Sequence, residues 1–285
     1  MKTILGIGTA GSNVVGQLNQ FDAYQSFQIS NEVHKTSKYK FALPPCDGPE
    51  EYESLDMSKL HKWLDKIQEP CTVFLCGASD SSAITLRALE QLHRKGIKMD
   101  IVYFTPEIEV LSDEKALHER SVRGILQNFT RSGLFRKMCL VSNLRLEEIA
   151  GSTNVFDYYQ QINHVFVSTY YMLDVFKNTK PITSTFKRPK ETCKISTIGL
   201  TSLGGEDRLF FPFKQAVDVV YYYGINEEKL KTEENLFRTI TNKVKSTITE
   251  ERKVSFGIYP TQYEDDYIYV EYFSPKIQEI NVDTE

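Results

Sequence analysis

Three glycines near the amino terminus have a spacing that can bring backbone amides against phosphate groups. Gly6, Gly8 and Gly11 lie in "KTILGIGTAGSNVVGQL", residues 2–18, where a strand-like run leads into a helical pattern. Glycines at such a turn let the backbone approach a phosphate closely, and the first turn of the helix points free N–H groups at it. The spacing G-x-G-x-x-G is typical of dinucleotide sites, so it predicts a phosphate-binding turn without deciding the ligand.

The cysteine and histidine residues do not show the spacing of a metal site. The five cysteines are odd in number, scattered along the chain and without a C-x-x-C pair. This pattern argues against a zinc site or a disulfide framework and fits a reducing cytoplasm. Four histidines lie on separate segments: His34, His61, His93 and His118. We therefore expect no metal site and a cytoplasmic location.

The composition excludes two classes of partner. The chain has 285 residues and a formal net charge of −4, which argues against nucleic acid as the main partner. No apolar run approaches the roughly 18 residues of a membrane helix. The residues after Leu5 are too polar for a signal peptide. We expect a soluble protein without a membrane partner.

The first half of the chain alternates strand patterns with helix patterns. Continuous apolar runs such as "TVFLC" and "IVYF" suit strands that helices cover on both faces. This order predicts a doubly wound, mostly parallel α/β sheet with ligands at the carboxyl ends of its strands. The strands are expected at 3–8, 26–31, 71–77, 98–106 and 137–143, and the helices at 12–19, 57–68, 82–96 and 114–133.

A long helix and a different kind of tail follow. Residues of one helical face recur at steps of three and four through residues 152–178, which predicts one long central helix. The residues of this face are Val155, Tyr159, Ile162, Phe166, Thr169, Leu173 and Phe176. The tail then shows the order strand, strand, helix, strand, strand, typical of a smaller α+β domain. We therefore divide the chain into a nucleotide-binding-like domain at 1–151, a central helix at 152–178 and a C-terminal domain at 179–285.

Three segments resemble the tubulin/FtsZ family. "GIGTAGSNVV" is similar to the FtsZ opening loop G-x-G-G-A-G-G-N, with Thr9 and Ser12 in place of two glycines. "LVSNLRLEEI" resembles a segment in which an Asn ends a strand and meets the nucleotide. "INHVFVST" resembles the tubulin central-helix segment L-N-H-L-V-S, whose Asn contacts guanine. The resemblance runs over nearly the whole chain and implies a Rossmann-like nucleotide domain, a central helix and a smaller second domain.

The resemblance also implies a ligand and the residues that hold it. The ligand would be GTP or GDP, with Mg²⁺ only alongside the nucleotide. An Asn side chain carries both a donor and an acceptor, so it can bind the mixed edge of guanine. The residues implied to contact the nucleotide are Gly8, Thr9, Ala10, Gly11, Ser12, Asn13, Asn143 and Asn163. Either Arg120 or Arg123 would contact the ribose or phosphates, or both would lie on a solvated helix face.

The main phosphate loop departs from the family. The family has G-G-G-T-G-[ST]-G between a buried strand and a helix, and this chain has "CGASDSSA", residues 76–83. Gly77 is the glycine that remains, Ser79 and Ser81 could donate hydroxyl groups, and Asp80 adds a negative charge where phosphate would lie. The alternative is a plain strand-to-helix turn with Ser81 or Ser82 as N-cap.

The loop after the central helix departs as well. Aligning "PITSTFKRP" with the family's N-x-D-x-x-D loop places Thr183, Thr185 and Arg188 at the three positions. Neither catalytic acid is present, and a threonine cannot act as a general base near neutral pH without an activating partner. We therefore name no catalytic residue.

Three functional hypotheses remain open. The first is a divergent tubulin/FtsZ-like cytoskeletal or assembly protein that is deficient in hydrolysis and associates head-to-tail with itself or with another such protein. The second is an active GTPase whose acids come from elsewhere, such as Glu191 or a partner. The third is a Rossmann-type NAD-dependent oxidoreductase that uses the three glycines and Glu32.

The two altered loops predict a direct contact between subunits. Asp80 is acidic, whereas Lys187 and Arg188 on the other loop are basic. We expect Asp80 of one copy to pair with Arg188 or Lys187 of the next, because an Arg fork can bind a carboxylate through two hydrogen bonds.

Overall fold

The computed structural model describes residues 1–79, 81–152 and 154–280, with Ser82 described by its backbone. The first half forms a parallel sheet with the strand order β3-β2-β1-β4-β5-β6. The strands are β1 Lys2–Ile7, β2 Tyr24–Ser30, β3 Lys40–Ala42, β4 Cys71–Cys76, β5 Met99–Thr105 and β6 Lys137–Ser142. This sheet confirms the predicted doubly wound fold class.

Helices connect these strands and cover the sheet. The helices are α1 Gly8–Leu18, α2 Pro49–Ser54, α3 Ser58–Leu64, α4 Ser82–Arg94, α5 Asp113–Ser132 and α6 Asn143–Ala150. The prediction for α1 was wrong at its start, because the helix begins at Gly8 and not at Ser12. The described part of the chain contains no helix long and apolar enough to cross a membrane.

The central helix α7, Tyr158–Lys177, is shorter than the sequence indicated. The expected start at residue 152 was wrong, since the helix begins at Tyr158. Five of the residues predicted for its apolar face are buried: Ile162, Phe166, Thr169, Leu173 and Phe176. Val155 and Tyr159, predicted for the same face, are 90% and 67% exposed. The apolar periodicity therefore continued beyond the helix that packs on the sheet.

The second half contains the predicted order strand, strand, helix, strand, strand and adds three short elements. Its elements are β7 Thr183–Ser184, β8 Ile195–Thr201, β9 Arg208–Leu209, β10 Asp218–Asn226, α8 Glu227–Thr232, α9 Leu236–Thr247, β11 Lys253–Thr261 and β12 Tyr267–Ser274. The predicted order is β8, β10, α9, β11 and β12, and the added elements are β7, β9 and α8. The strands follow the order β8-β12-β10-β11-β7, and β9 pairs with β8. Met138 and Cys139 of β6 pair with Ile195 and Ser196 of β8 and join the two halves into one continuous sheet.

The three glycines of the opening turn each have a structural reason. A Cβ at Gly6 would overlap the backbone of Gly11 and Ser12, and a Cβ at Gly11 would overlap the carbonyl of Phe74 on β4. Gly8 has φ +74°, which favours glycine. The glycines therefore allow α1 to pack directly against β1 and β4. This packing accounts for the spacing whether or not a nucleotide binds.

Candidate functional site

A cleft of about 650 Å³ lies between α1, the carboxyl end of β2 and the first two turns of α7. It is lined by Ser12, Asn13, Gly16 and Gln17 of α1, Gln28 and Ser30 of β2, the following residues Glu32, Val33, His34 and Lys35, Lys40 of β3, and Tyr159, Gln160 and Asn163 of α7. The carboxyl ends of strands in an open α/β sheet are where ligands bind. Of the residues predicted to contact a nucleotide, Ser12, Asn13 and Asn163 line this cleft. The others do not: Gly8, Thr9, Ala10, Gly11, Gly77, Ser79, Ser81 and Asn143.

The amino terminus of α1 is available to an anion. Ile7 precedes the helix, no side chain of the described residues caps the first turn, and no acidic residue lies in it. The first N–H groups of a helix have no partner within the helix, and the helix dipole favours negative charge there. One turn further on, Ser12 is 7% exposed and its Oγ has no hydrogen-bond partner among the described residues. A buried hydroxyl without a partner costs free energy, so a ligand atom in the cleft would be favoured there.

The structure brings together two of the three predicted base contacts. Asn13 is exposed and Asn163 is half-buried, and both line the cleft. Gln28 Nε2 donates to the Ser12 carbonyl at 2.9 Å, which ties β2 to α1 along the cleft floor. Asn143 is half-buried at the first position of α6 and does not belong to the cleft lining. The cleft therefore offers two amide side chains to a base rather than three.

The loop after β4 lies against the opening turn. Ser79 Oγ and Ser81 Oγ are 2.8 Å apart and form a hydrogen bond, and a Cβ at Gly8 would lie 3.2 Å and 3.0 Å from these two hydroxyls. Ser81 directly precedes α4, but its hydroxyl does not cap the helix. A Cβ at Gly77 would overlap the Tyr103 hydroxyl, so packing explains this glycine. Asp80 lies outside the described residues.

The loop after α7 forms an edge strand. Thr183 and Ser184 pair with Ile258 and Gly257 of β11. Thr185 N–H donates to the Phe256 carbonyl at 2.8 Å, and Thr185 Oγ1 accepts from the Phe256 N–H at 3.1 Å. Both polar groups of Thr185 therefore bind the chain's own backbone.

The two predicted interface cations on this loop, Lys187 and Arg188, are exposed. Their expected partner, Asp80, lies outside the described residues, so the pairing stays a prediction. In the parts of the chain that the structure describes, no group of three or more His, Cys, Asp or Glu residues could hold a metal ion.

The interpretation of Arg123 as a nucleotide contact or a solvated residue was wrong. Arg123 is 3% exposed; its Nε donates to Glu119 Oε1 at 2.8 Å and its Nη1 donates to the Gln278 carbonyl at 2.9 Å. Tyr103 Oη also donates to Glu119 Oε1, at 3.1 Å. This network fixes the segment around Gln278 against α5. Arg120 is exposed on the same helix.

Several cleft residues were missed by the sequence analysis. Lys35 lies in the connection between β2 and β3, Lys40 begins β3, and Gln28 lies on β2. Gln28 lay within the predicted strand 26–31, and the two lysines carried no sequence signal. Glu32, the residue of the oxidoreductase hypothesis, does line the cleft.

Comparison with solved structures identifies the fold. No family model and no curated protein matches the sequence. The FtsZ dimer of M. jannaschii superimposes with a TM-score of 0.67 at 11% identity and covers 95% of this chain and 87% of that chain. A four-stranded TubZ-Bt filament gives 0.73 at 12% identity, with 95% and 85% coverage. CetZ2 from Haloferax volcanii, described as a GTPγS-bound protofilament, gives 0.68 at 14% identity, with 96% and 92% coverage.

These likenesses cover almost the whole chain, including the central helix and the C-terminal sheet. The chain therefore has a divergent tubulin/FtsZ-like fold, as the three short segments predicted.

Proposed function

We propose that this chain is a tubulin/FtsZ-like assembly protein that associates head-to-tail with further copies and does not hydrolyse GTP. The observation that carries the proposal is the edge strand after α7. Thr185 uses its N–H and its hydroxyl to bind Phe256, and the exposed residues that follow are the cations Lys187 and Arg188. A cation cannot remove a proton from water, and a hydroxyl already bonded to backbone is not an efficient base.

The names of the structural neighbours support the assembly part of the proposal. They are described as an FtsZ dimer, a TubZ filament and a CetZ2 protofilament. In a head-to-tail assembly, one surface of a subunit binds a different surface of the next. Identical copies can therefore keep adding to the end of a filament. This chain shares the fold and, under the proposal, it also assembles. It lacks the catalytic acids in the loop after α7 whose action on GTP would limit the lifetime of the contact between subunits.

We further propose that the cleft beside α1 holds a guanine nucleotide. Asn13 and Asn163 offer donors and acceptors to the base, and Ser12 Oγ is a buried hydroxyl without a partner in the described chain. The start of α1, which no described side chain caps, can hold phosphate, and the hydroxyls of Ser79 and Ser81 lie beside Gly8 at the same end. The nucleotide then acts as a fixed part of the subunit.

One experiment tests turnover and assembly together. Phosphate release from GTP and the sedimented fraction are measured while the protein concentration is raised. We expect the sedimented fraction to rise while phosphate release stays at the level of a protein-free control. Phosphate release that increases with concentration would show that Glu191 or another group supplies the missing acid. A chain that stays monomeric throughout would remove the assembly proposal.

A second experiment tests the ligand. Mass spectrometry and ultraviolet absorbance of the purified protein should detect GTP or GDP carried through purification. Titrations with fluorescent GTP and with NADH provide the comparison, because Glu32 in the cleft is the feature that would favour a dinucleotide. Binding of NADH without binding of GTP would replace the nucleotide proposal with the oxidoreductase hypothesis.

A further inference from the structure

A second cavity, of about 500 Å³, lies at the opposite end of α7 from the cleft. Its walls come from the start of β6, the last turn of α7, the segment of residues 186–194 and the strands β10 and β12. Seven cationic side chains line it: Arg136, Lys137, Lys177, Lys187, Arg188, Lys190 and Lys194. Glu191 and Glu271 are the acidic residues among the described lining. The whole chain has a formal net charge of −4, so this surplus of positive charge is confined to the cavity.

The cations on one side of the cavity are held by carboxylates. Glu271 is 2% exposed and binds Lys177 at 2.7 Å and Lys137 at 3.5 Å. Asp100 binds Arg136 through two hydrogen bonds of 2.9 Å and 2.6 Å. These ion pairs fix three cations at the base of the cavity, and the single Glu271 carboxylate cannot neutralise both of its lysines.

The cations on the other side have no such partner. Lys187, Arg188, Lys190 and Lys194 make no ion pair with any carboxylate of the described residues. Asp218, the nearest buried acid, accepts from the Lys190 backbone N–H at 3.1 Å and does not take its ammonium group. Like charges gathered around one cavity repel each other, so a bound anion would lower the free energy of the whole group.

The lining of the cavity combines aromatic side chains with cationic ones. Small-molecule sites are concave and combine an apolar wall with a few placed polar groups. Phe186 and Tyr222 form such a wall, with ring centroids 5.5 Å apart, and Phe273 lines the same cavity. A terminal phosphate group brings about one and a half to two negative charges into this space, and the Arg188 guanidinium can bind it through two hydrogen bonds.

We propose that this cavity is an anion site that binds phosphate groups between the last turn of α7 and residues 187–194. The phosphate has two sources that share this chemistry. It is either a free phosphate compound or the phosphate of a nucleotide held by a second copy, and the second source rests on the proposed function. Lys187 and Arg188 close the site from the exposed loop, and Lys137 and Lys177 form its base.

The test uses inorganic pyrophosphate as the probe and calorimetric titration of the full chain, diluted so that it is monomeric. We expect binding that weakens as salt is raised. The Lys187→Gln/Arg188→Gln double variant should weaken it by about tenfold or more, the loss of two charge-assisted contacts. The Lys59→Gln/Lys62→Gln double variant removes the same charge from α3, outside the cavity, and should bind like the wild type. Both pairs of residues are exposed, so all variants should fold.

Sedimentation with and without pyrophosphate separates the two sources. A free compound is identified if pyrophosphate binds the dilute chain and leaves self-association unchanged. Phosphate from a second copy is identified if pyrophosphate also inhibits self-association as strongly as the Lys187→Gln/Arg188→Gln variant does. The site is overturned if the dilute chain binds no pyrophosphate, or if the two double variants bind it equally well. If the chain never self-associates, the proposed function is contradicted. The titration still decides whether the cavity binds an anion.

Discussion

The two ends of α7 lie at sites of opposite character. Near its start, Asn163 joins a cleft lined by further amide side chains and by the Ser12 hydroxyl, which has no hydrogen-bond partner among the described residues. At its last turn, Lys177 joins a cavity dominated by cations. The first end carries Asn163, which lies in a segment that resembles the tubulin central helix, and the second end carries a surplus of positive charge. The comparison teaches that the two ends of one helix can present an amide-lined cleft and a cationic cavity within a single fold.

The largest expected effect is at the turn beneath the cleft. Gly11→Ala would place a Cβ against the Phe74 carbonyl, between two backbone segments that cannot move aside easily. We expect a loss of about 3 kcal/mol or more in the free energy of unfolding, typical of severe overpacking. Gly124→Ala on α5 is the control, because nothing lies within 4 Å of its Cβ, and it should gain up to about 1 kcal/mol. Urea unfolding of the two variants measures the difference, and equal stabilities would contradict it.

The next effect is at the other end of α7. Burial would raise the pKa of Glu271, but Lys177 and Lys137 outweigh burial and lower the pKa from 4.5 to about 2. A carboxyl whose pKa is lower in the folded state stabilises above its unfolded pKa and loses this contribution as the pH falls toward the folded one. Glu271→Gln should therefore cost about 3 kcal/mol at pH 7.

The pH dependence of this variant gives its control. The stability difference between Glu271→Gln and the wild type should shrink as the pH falls from about 4.5 toward 2. Glu90→Gln, at an exposed pair with Arg94 on α4, should cost less than about 0.5 kcal/mol. Urea unfolding over the pH series measures both variants. A difference that stays constant with pH would show that Glu271 acts through packing rather than through its charge.

Much of the fold could be predicted from sequence because its signals are local. Buried parallel strands such as Val73–Leu75 are continuous apolar runs, and the helices between them show regular apolar spacing. The start of α7 could not be located, because Val155 continues the apolar spacing without packing on anything. An apolar pattern shows which residues could share a helix face, but not where that face meets the sheet.

The cationic cavity could not be predicted from local patterns. Glu271 lies within the apolar run "YIYVEYF", where a single acid suggests a solvent-facing strand position. Its pairing with Ile198 of β8 and Val220 of β10 brings it instead to the lysines of β6 and α7. The contact between Lys137 and Glu271 joins residues that are 134 positions apart, so only the assembled sheet shows it. By contrast, Asn13 and Asn163 were found because each lies in a short segment that resembles a known one.

A smaller effect tests the cleft itself. If a guanine nucleotide binds there, Asn163→Ala should weaken its binding by roughly 1–3 kcal/mol, the cost of leaving a buried polar partner unsatisfied. Asn143→Ala, at the start of α6 and outside the cleft lining, should now have little effect. Asn128→Ala on α5 controls for the loss of an amide elsewhere. Fluorescent GTP titration compares the three variants, and unchanged affinity in Asn163→Ala would show that the amide does not contact the base.

The smallest effect concerns the edge strand after α7. Thr185→Val keeps the shape of the side chain but removes the oxygen that accepts from the Phe256 N–H. The loss in the free energy of unfolding should be about 1 kcal/mol, the net contribution of one hydrogen bond, because water can reach an edge strand and replace part of that bond.

Thr183→Val is the matched control on the same strand, since Thr183 is exposed and its pairing with Ile258 uses the backbone. Hydrogen exchange at the Phe256 amide reports the difference directly. Faster exchange in Thr185→Val than in Thr183→Val would show that this threonine has a structural role where the family resemblance implies a catalytic acid. Equal exchange in both variants would instead show that the Thr185 hydroxyl does not hold the Phe256 amide.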